Sequence, residues 1–401
     1  MGRAPARIAV IGAGPMGISA ALLALERGFE VTVFERGEVG ESVRRWGPST
    51  RLFSPMRMNL PARARELLGG AAPDDDALLT GPELADKALV PLACLPPLSG
   101  RVRTRHRVAA VGRAGLTRLD LPGHPLRAER PFRLLLQTPR GEEYFEAEAV
   151  LDASGVYGQP GWSGPGGLPA RGERELGARL IRRLGELESR RAALIGRRAL
   201  LIGHGHSAAN ALLLLERMAA DSPQTRVVWA TRSSNRRPCA EVAGDPLPER
   251  QRVAARANDL ASDPPSFLSV LRGCSLQAIE AVDGGGDGAS LRATLAGPAS
   301  APAREEIVHE AISLTGYRPD LGVLTELALE ISPVTEGGAR LSRALTGVTD
   351  CLALPRVLPK DLESGEPGFF LVGSKSYGRS PAFLLRTGLA HLETILEGLA
   401  R

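Results

Sequence analysis

The tightest constraint on this chain is a glycine turn wedged between a strand and a helix. Near the start, the β-branched run 7–11 (RIAVI) leads straight into Gly12-Ala13-Gly14-Pro15-Met16-Gly17. An Ala/Leu-rich segment with helical spacing follows over 18–27, and Gly28 stands where a helix C-cap would. A second strand, 30–35 (EVTVFE), ends in Glu35, 23 residues after Gly12. Gly12 permits the tight turn, Gly14 lets backbone approach a pyrophosphate with no Cβ in the way, and Gly17 lets helix pack against strand. Pro15 and Met16 open the helix, whose free N–H groups and positive dipole end suit phosphates. Glu35, followed by Arg36, is placed to accept a ribose hydroxyl. A lone glycine turn is weak evidence. The same turn between two strands with a correctly spaced acid, in a unit of about 30 residues, predicts a dinucleotide site.

The pattern recurs mid-chain. The run 198–202 (RALLI) leads into Gly203-His204-Gly205-His206-Ser207-Ala208, then a helical 209–218 and a strand 225–230 (TRVVWA). Ala208 replaces the third glycine, and a methyl still permits close packing. No acid closes this second unit. Thr231, Arg232, Ser233, Ser234, Asn235, Arg236 and Arg237 stand there instead. Cations and hydroxyls suit a 2′-phosphate, which favours NADPH over NADH. A solvated turn is the plain alternative for Arg236 and Arg237. His204 and His206 have no His/Cys/Asp/Glu cluster nearby, so no metal is expected; His206 and Ser207 are expected to contact phosphates or nicotinamide. Two fingerprints imply two nucleotides: a bound flavin dinucleotide, FAD, and a nicotinamide dinucleotide that reduces it.

Composition excludes several other classes. The net charge is +5, yet only Lys87, Lys360 and Lys375 are lysines, and the arginines are scattered among acids. With aromatics at 4%, no basic face interleaved with rings points to nucleic acid. No apolar run reaches the roughly 18 residues of a membrane helix. The N-terminus runs into a core strand without a signal-peptide pattern, so a cytoplasmic location is expected. Cys94, Cys239, Cys274 and Cys351 form no CxxC, which predicts reduced thiols and neither a dithiol relay nor a zinc knuckle. No Ser/His/Asp triad or paired-carboxylate spacing favours hydrolysis.

Four segments, in order, resemble the two-dinucleotide-binding flavoproteins that include thioredoxin-reductase-like enzymes and flavin-containing monooxygenases. They are the first glycine turn; 149–159 (AVLDASGVYGQ), with Ser154-Gly155 in place of Thr-Gly; 311–320 (AISLTGYRPD), with Thr315-Gly316; and 369–388 (FFLVGSKSYGRSPAFLLRTG), with Gly373. The stretches 42–59, 164–173 and 373–379 look most like bacterial single-chain NAD(P)/FAD-dependent oxidoreductases. The resemblance implies an α/β fold of two Rossmann-like, three-layer domains, the nicotinamide domain inserted in the flavin domain. The expected pieces are 1–160 and 305–401 for FAD and 161–304 for NAD(P)H, with linkers over 158–172 and 282–304. One helix is expected over 81–92, and a hairpin over 130–137 and 142–151.

The catalytic candidates are Trp46, carried over from the resemblance, and Lys375 and Tyr377, with Arg379 expected to bind cofactor. Trp46 is expected beside the flavin, or else packed in a core. Lys375, Tyr377 and Arg379 are expected in a loop near the flavin, where a cation would stabilise the anionic reduced ring, or else in solvent. Arg318 and Asp320 are expected to pair. Three departures stand out: no Phe-x-Gly-x-x-x-His element between the fingerprints, no CxxC, and Ser374 where relatives carry Asp. The leading expectation is an FAD enzyme reduced by NADPH that acts on a small molecule and O2 as a monooxygenase, through a flavin–oxygen adduct. The alternatives are a reductase serving a disulfide, quinone or protein, with Cys239 the thiol to suspect, and a nucleotide-binding redox sensor. A homodimer is compatible with all three.

Overall fold

A computed structural model describes residues 7–282, 290–297, 303–348 and 352–400. The glycine-rich stretch 283–289 and Cys351 lie outside the described residues. The chain forms two compact units: one of Met1–Arg44, Ser54–Gln159 and Arg318–Arg401, the other of Arg45–Phe53 and Pro160–Tyr317.

The first unit is built on a five-stranded parallel sheet ordered Phe369–Leu371, Ala149–Asp152, Arg7–Ile11, Glu30–Phe34, Val102–Arg103. Ile8, Ala9 and Val10 are wholly buried, because both sheet faces are covered. Helices Pro15–Glu26 and Leu385–Leu399 pack together in this unit. A three-stranded antiparallel sheet, Arg107–Arg113, Phe132–Thr138 and Gly141–Ala147, shares a core with the parallel sheet, centred on Phe34, Val111, Phe132, Leu134 and Phe369.

Two local expectations change. The expected strand 142–151 is two strands, broken at Glu148, whose N–H donates to the Arg7 carbonyl at 3.0 Å. The run from 81 is helical to Cys94 but widens into a π-turn over Ala85–Leu89. Pro91 lacks the N–H that the Lys87 carbonyl would accept, and the wide turn absorbs that loss. Thr80 and Glu83 cap the start reciprocally.

The second unit repeats the plan. Its parallel sheet runs Leu268–Arg272, Arg226–Thr231, Arg198–Ile202, Glu310–Ser313. Helices His206–Asp221 and Pro248–Ser262 pack on one core with Trp229, Leu212 and Val253. An antiparallel sheet of Ser275–Val282, Ser290–Ala296 and Arg304–Val308 packs on another with Leu200, Val228, Leu276 and Leu291. Strand Glu310–Ser313 pairs with Arg198–Ile202, so this unit runs past the expected 304 to Tyr317. Segment Arg45–Phe53 also belongs to it; the Gly185 N–H donates to the Arg45 carbonyl at 3.2 Å.

A buried ion cluster ties the first unit's antiparallel sheet to the chain before its last strand. The fully buried Glu366 carboxylate accepts Arg113 Nε at 2.8 Å, Arg127 Nε at 3.0 Å and the Ala328 N–H at 2.9 Å. Removing the anion strands two buried cations. Glu366→Ala is therefore expected to cost about 3–5 kcal/mol of stability, read by urea denaturation against the parent.

Candidate functional site

In each unit the glycine turn sits at the carboxyl ends of the parallel strands, where open α/β sheets bind ligands. In the first, Gly12 has φ +99°, and a Cβ there would lie 2.9 Å from the Ala153 carbonyl oxygen. A Cβ on Gly17 would meet the Gly12 oxygen at 1.8 Å, so only glycine fits. Around the Cβ position of Gly14 there is nothing within 4 Å. Gly14 is also the N-cap of helix Pro15–Glu26, and no side chain caps it. The first N–H groups of the helix thus border an open cradle. Glu35 is fixed at the strand end by the N–H groups of Ala13 at 2.8 Å and Gly37 at 2.9 Å. The Arg36 guanidinium lies over Gly158, 3.5 Å from where a Cβ would stand. Ser154 is exposed, and Gly155 has φ +70°.

The remaining first-unit candidates divide differently from expectation. The Met16 side chain is buried against the closing turn: Cβ atoms on Gly373 and Gly388 would each come within 2.8 Å of it. It fills core and does not line the cradle. Lys375 is no solvated loop cation. It lies in the single helical turn Ser374–Tyr377, fully buried, with Nζ 2.6 Å from Asp152 Oδ2 and 3.0 Å from Ser154 Oγ. Tyr377 is 2% exposed, stacked on His391 with ring centres 6.0 Å apart. Arg379 is exposed, its guanidinium 3.9 Å from Glu336. Arg318 pairs with Glu336 and not with Asp320, whose carboxylate accepts the Gly322 N–H.

The second cradle is built alike. Gly203 has φ +121°, and a Cβ there would meet the Leu314 carbonyl oxygen at 2.3 Å. Space around Gly205 is open within 4 Å, and helix His206–Asp221 starts there without a side-chain cap. The Ala208 methyl is accommodated, 3.6 Å from a Cβ on Gly203. Thr315 and Gly316 stand beside this cradle, in the second unit; Thr315 Oγ1 donates to the Gly161 carbonyl at 2.8 Å. His206 opens the helix, followed by Ser207, and meets the Phe53 ring edge-on at 5.1 Å. Burial holds the His204 and His206 rings below the usual histidine range, with Arg232 and Arg250 respectively adding to it.

The three expected arginines do not act as a set. Arg237 is engaged by Glu241 at 2.8 Å and Asp259 at 2.9 Å. Arg236 reaches the Ser262 carbonyl at 3.3 Å. Arg232 is exposed, and its side chain has no partner among the described residues. Trp46 is half-buried in the second unit, so the first unit's own residues do not include it. Sequence reasoning missed Asp152, whose place before Ala153-Ser154-Gly155 was the available signal. It also missed the Asp245–Arg250 pair at 2.6 Å, which with His206 and Glu241 lines a cavity of 160 Å³. Burial pushes the Cys239 thiol up to about 12. Among the described residues no three His, Cys, Asp or Glu gather to hold a metal, and no helix is long and apolar enough to cross a membrane.

Comparison with known proteins agrees with this architecture. Residues 9–66 match the pyridine nucleotide-disulphide oxidoreductase family. No curated protein matches the sequence. Among solved structures, bacillithiol disulfide reductase Bdr (YpdA) from Bacillus cereus is similar, with a TM-score of 0.70 at 17% identity over 98% of each chain. Ornithine N-hydroxylase of Kutzneria sp. 744, solved with reduced FAD, NADP+ and L-ornithine, gives 0.63 at 15%, again over 98% of each chain. Thioredoxin reductase of T. acidophilum gives 0.60 at 14% over the same shares. At these identities the likeness is one of fold: two Rossmann-like units in a single chain.

Burial of His391 is expected to make the first unit acid-sensitive. Burial pushes His391 down to about 4 from 6.5, so the unfolded chain takes up its proton first as pH falls. Stability contributed by the neutral ring is complete above pH 6.5 and is lost as pH falls towards 4, by up to about 3 kcal/mol. His391→Phe is expected to flatten that acid limb in melting-temperature measurements between pH 7 and 4.

Proposed function

We propose that the chain is an FAD-dependent oxidoreductase reduced by NADPH, acting as a monooxygenase on a small molecule with O2 as co-substrate. The observation that carries the nucleotide reading is the pair of cradles. At Gly14 and at Gly205 the Cβ position is open, beside a helix start that no side chain caps. That space and those donors fit a pyrophosphate twice over. In the first cradle Gly14 and the helix N–H groups beside it would hold the FAD pyrophosphate, with Gly12 and Gly17 keeping the turn tight, Glu35 on a ribose hydroxyl and the 153–155 turn at the approach to the flavin. In the second, Gly203, Gly205 and Ser207 would hold NADPH, with Arg232 on its 2′-phosphate and Thr315-Gly316 beside the nicotinamide half. With both nucleotides held by these residues, FAD would supply the redox chemistry and NADPH the reducing equivalents.

Oxygen is favoured as acceptor by the thiols. Cys239 is buried with its pKa pushed up to about 12, so almost no thiolate is present at neutral pH. Cys94, which is exposed, shows no partner thiol among the described residues. The N-hydroxylase likeness adds to this reading. The likeness to a bacillithiol disulfide reductase supports a second one, a reductase for an external disulfide or quinone.

Purified protein is expected to be yellow and to release FAD on denaturation. Gly14→Val should fill the cradle and abolish FAD retention while the fold persists. Arg232→Ala should raise the NADPH concentration for half-maximal flavin reduction about ten- to a hundredfold, and that for NADH by less than about twofold. Equal losses would refute the 2′-phosphate contact. For the acceptor, NADPH-reduced protein is mixed with oxygenated buffer and candidate amines, and peroxide and oxygenated product are quantified. Product at the expense of peroxide supports a monooxygenase. Stoichiometric peroxide with every candidate, together with rapid anaerobic oxidation by a disulfide or quinone, supports the reductase.

A further inference from the structure

An ion pair beneath the first cradle is left unused by this chemistry. Lys375 and Asp152 are each wholly buried, and they meet at 2.6 Å. The protein seals them by itself, so neither can touch a bound nucleotide. Any influence must pass through what their side chains hold, and among the described residues that is Ser154. Asp152 Oδ1 accepts both the Ser154 hydroxyl at 2.6 Å and the Ser154 N–H at 3.1 Å. Lys375 Nζ donates to the same hydroxyl oxygen at 3.0 Å.

Ser154, unlike its holders, is exposed. Its Cα lies 3.1 Å from the Cβ position of Gly12, so its placement sets one wall of the glycine turn. The next residue, Gly155, has φ +70°, and a Cβ there would stand 3.6 Å from the Ser374 hydroxyl. Asp152 is anchored in turn, paired in register with Ile11 on one side and Leu371 on the other. A buried ion pair is a poor source of stability, because desolvation offsets the attraction. What this pair supplies is direction: three hydrogen bonds converging on one exposed serine at the mouth of the cradle.

We infer that Lys375 is a positioning residue for the flavin nucleotide, acting through Asp152 and Ser154 to hold the 153–155 turn against Gly12. The inference rests on the FAD reading. The sealed site is fitted to a compact ammonium, so arginine, with its planar fork, is a poor replacement.

The test measures FAD affinity by fluorescence quenching on deflavinated protein, with NADPH affinity and melting temperature as companions. K375M should weaken FAD by about tenfold or more, the worth of one lost charged hydrogen bond. K375R should do nearly the same, and NADPH affinity should stay within about twofold. S154A should weaken FAD several-fold, and S154A/K375M should be no weaker than K375M, because the two act along one path. Additive losses, or unchanged FAD affinity in K375M, overturn the inference and leave the FAD reading standing. A parent protein that binds no FAD overturns both.

Should K375M fail to fold, two charge-neutral doubles carry the same test. Both doubles lack the Lys375 bond and should bind FAD more weakly than the parent, D152N/K375M by about tenfold and D152A/K375M, which also removes the oxygen that accepts from Ser154, by several-fold more at matched melting temperature. Equal FAD affinity in these two doubles overturns the positioning role.

Discussion

Both halves of this molecule depend on a backbone contact that leaves no room for a side chain. At the end of each first strand a glycine with positive φ lies against the carbonyl of the turn after a neighbouring parallel strand: Gly12 against Ala153, Gly203 against Leu314. These contacts bring two chain crossings together at one sheet edge and leave the following helix start open. Ser154 and Thr315 occupy the matching position after their strands. The closeness of the turns dictates the glycines, the register of the strands and the direction in which the helix N–H groups face.

The two cradles differ in how they treat the third position. In the first, the helix presses so close that a Cβ on Gly17 would overlap the Gly12 carbonyl. In the second, Ala208 fits with its methyl fully buried. The first helix is also pinned from its far side, because Met16 packs into the gaps left by Gly373 and Gly388. Two glycines distant in sequence therefore serve one helix start.

What could be read from the sequence was what short-range chemistry determines. The strand, turn and helix of each fingerprint appear where expected, because glycine stereochemistry and apolar periodicity are local signals. Glu35 lies at its strand end as predicted. Contacts between distant segments were not legible. Strand Arg107–Arg113 was missed, and it forms only against Phe132–Thr138. Arg237 looked available until Asp259, a full helix later in the chain, closed on it. Lys375 read as a loop cation because nothing near it in sequence announces Asp152. The arginine bias that made the chain look basic turns out to be largely committed, with Arg113, Arg127, Arg237 and Arg250 each held by acids.

The first unit is assembled from chain segments that leave the ribosome far apart in time. Its sheet receives the strand beside Ala149–Asp152 only when Phe369–Leu371 has been made, and Asp152 gains its counter-ion only with Lys375. The second unit, by contrast, holds every strand of its parallel sheet by residue 313. Domains generally fold as units during synthesis, earlier segments first. Here that order inverts: the half that starts first finishes last, waiting with an uncompensated carboxylate at its centre. A nucleotide held at the first cradle would then be a late, nearly post-synthetic acquisition, and a chain ended between residues 317 and 375 would hold a finished second half and no finished first.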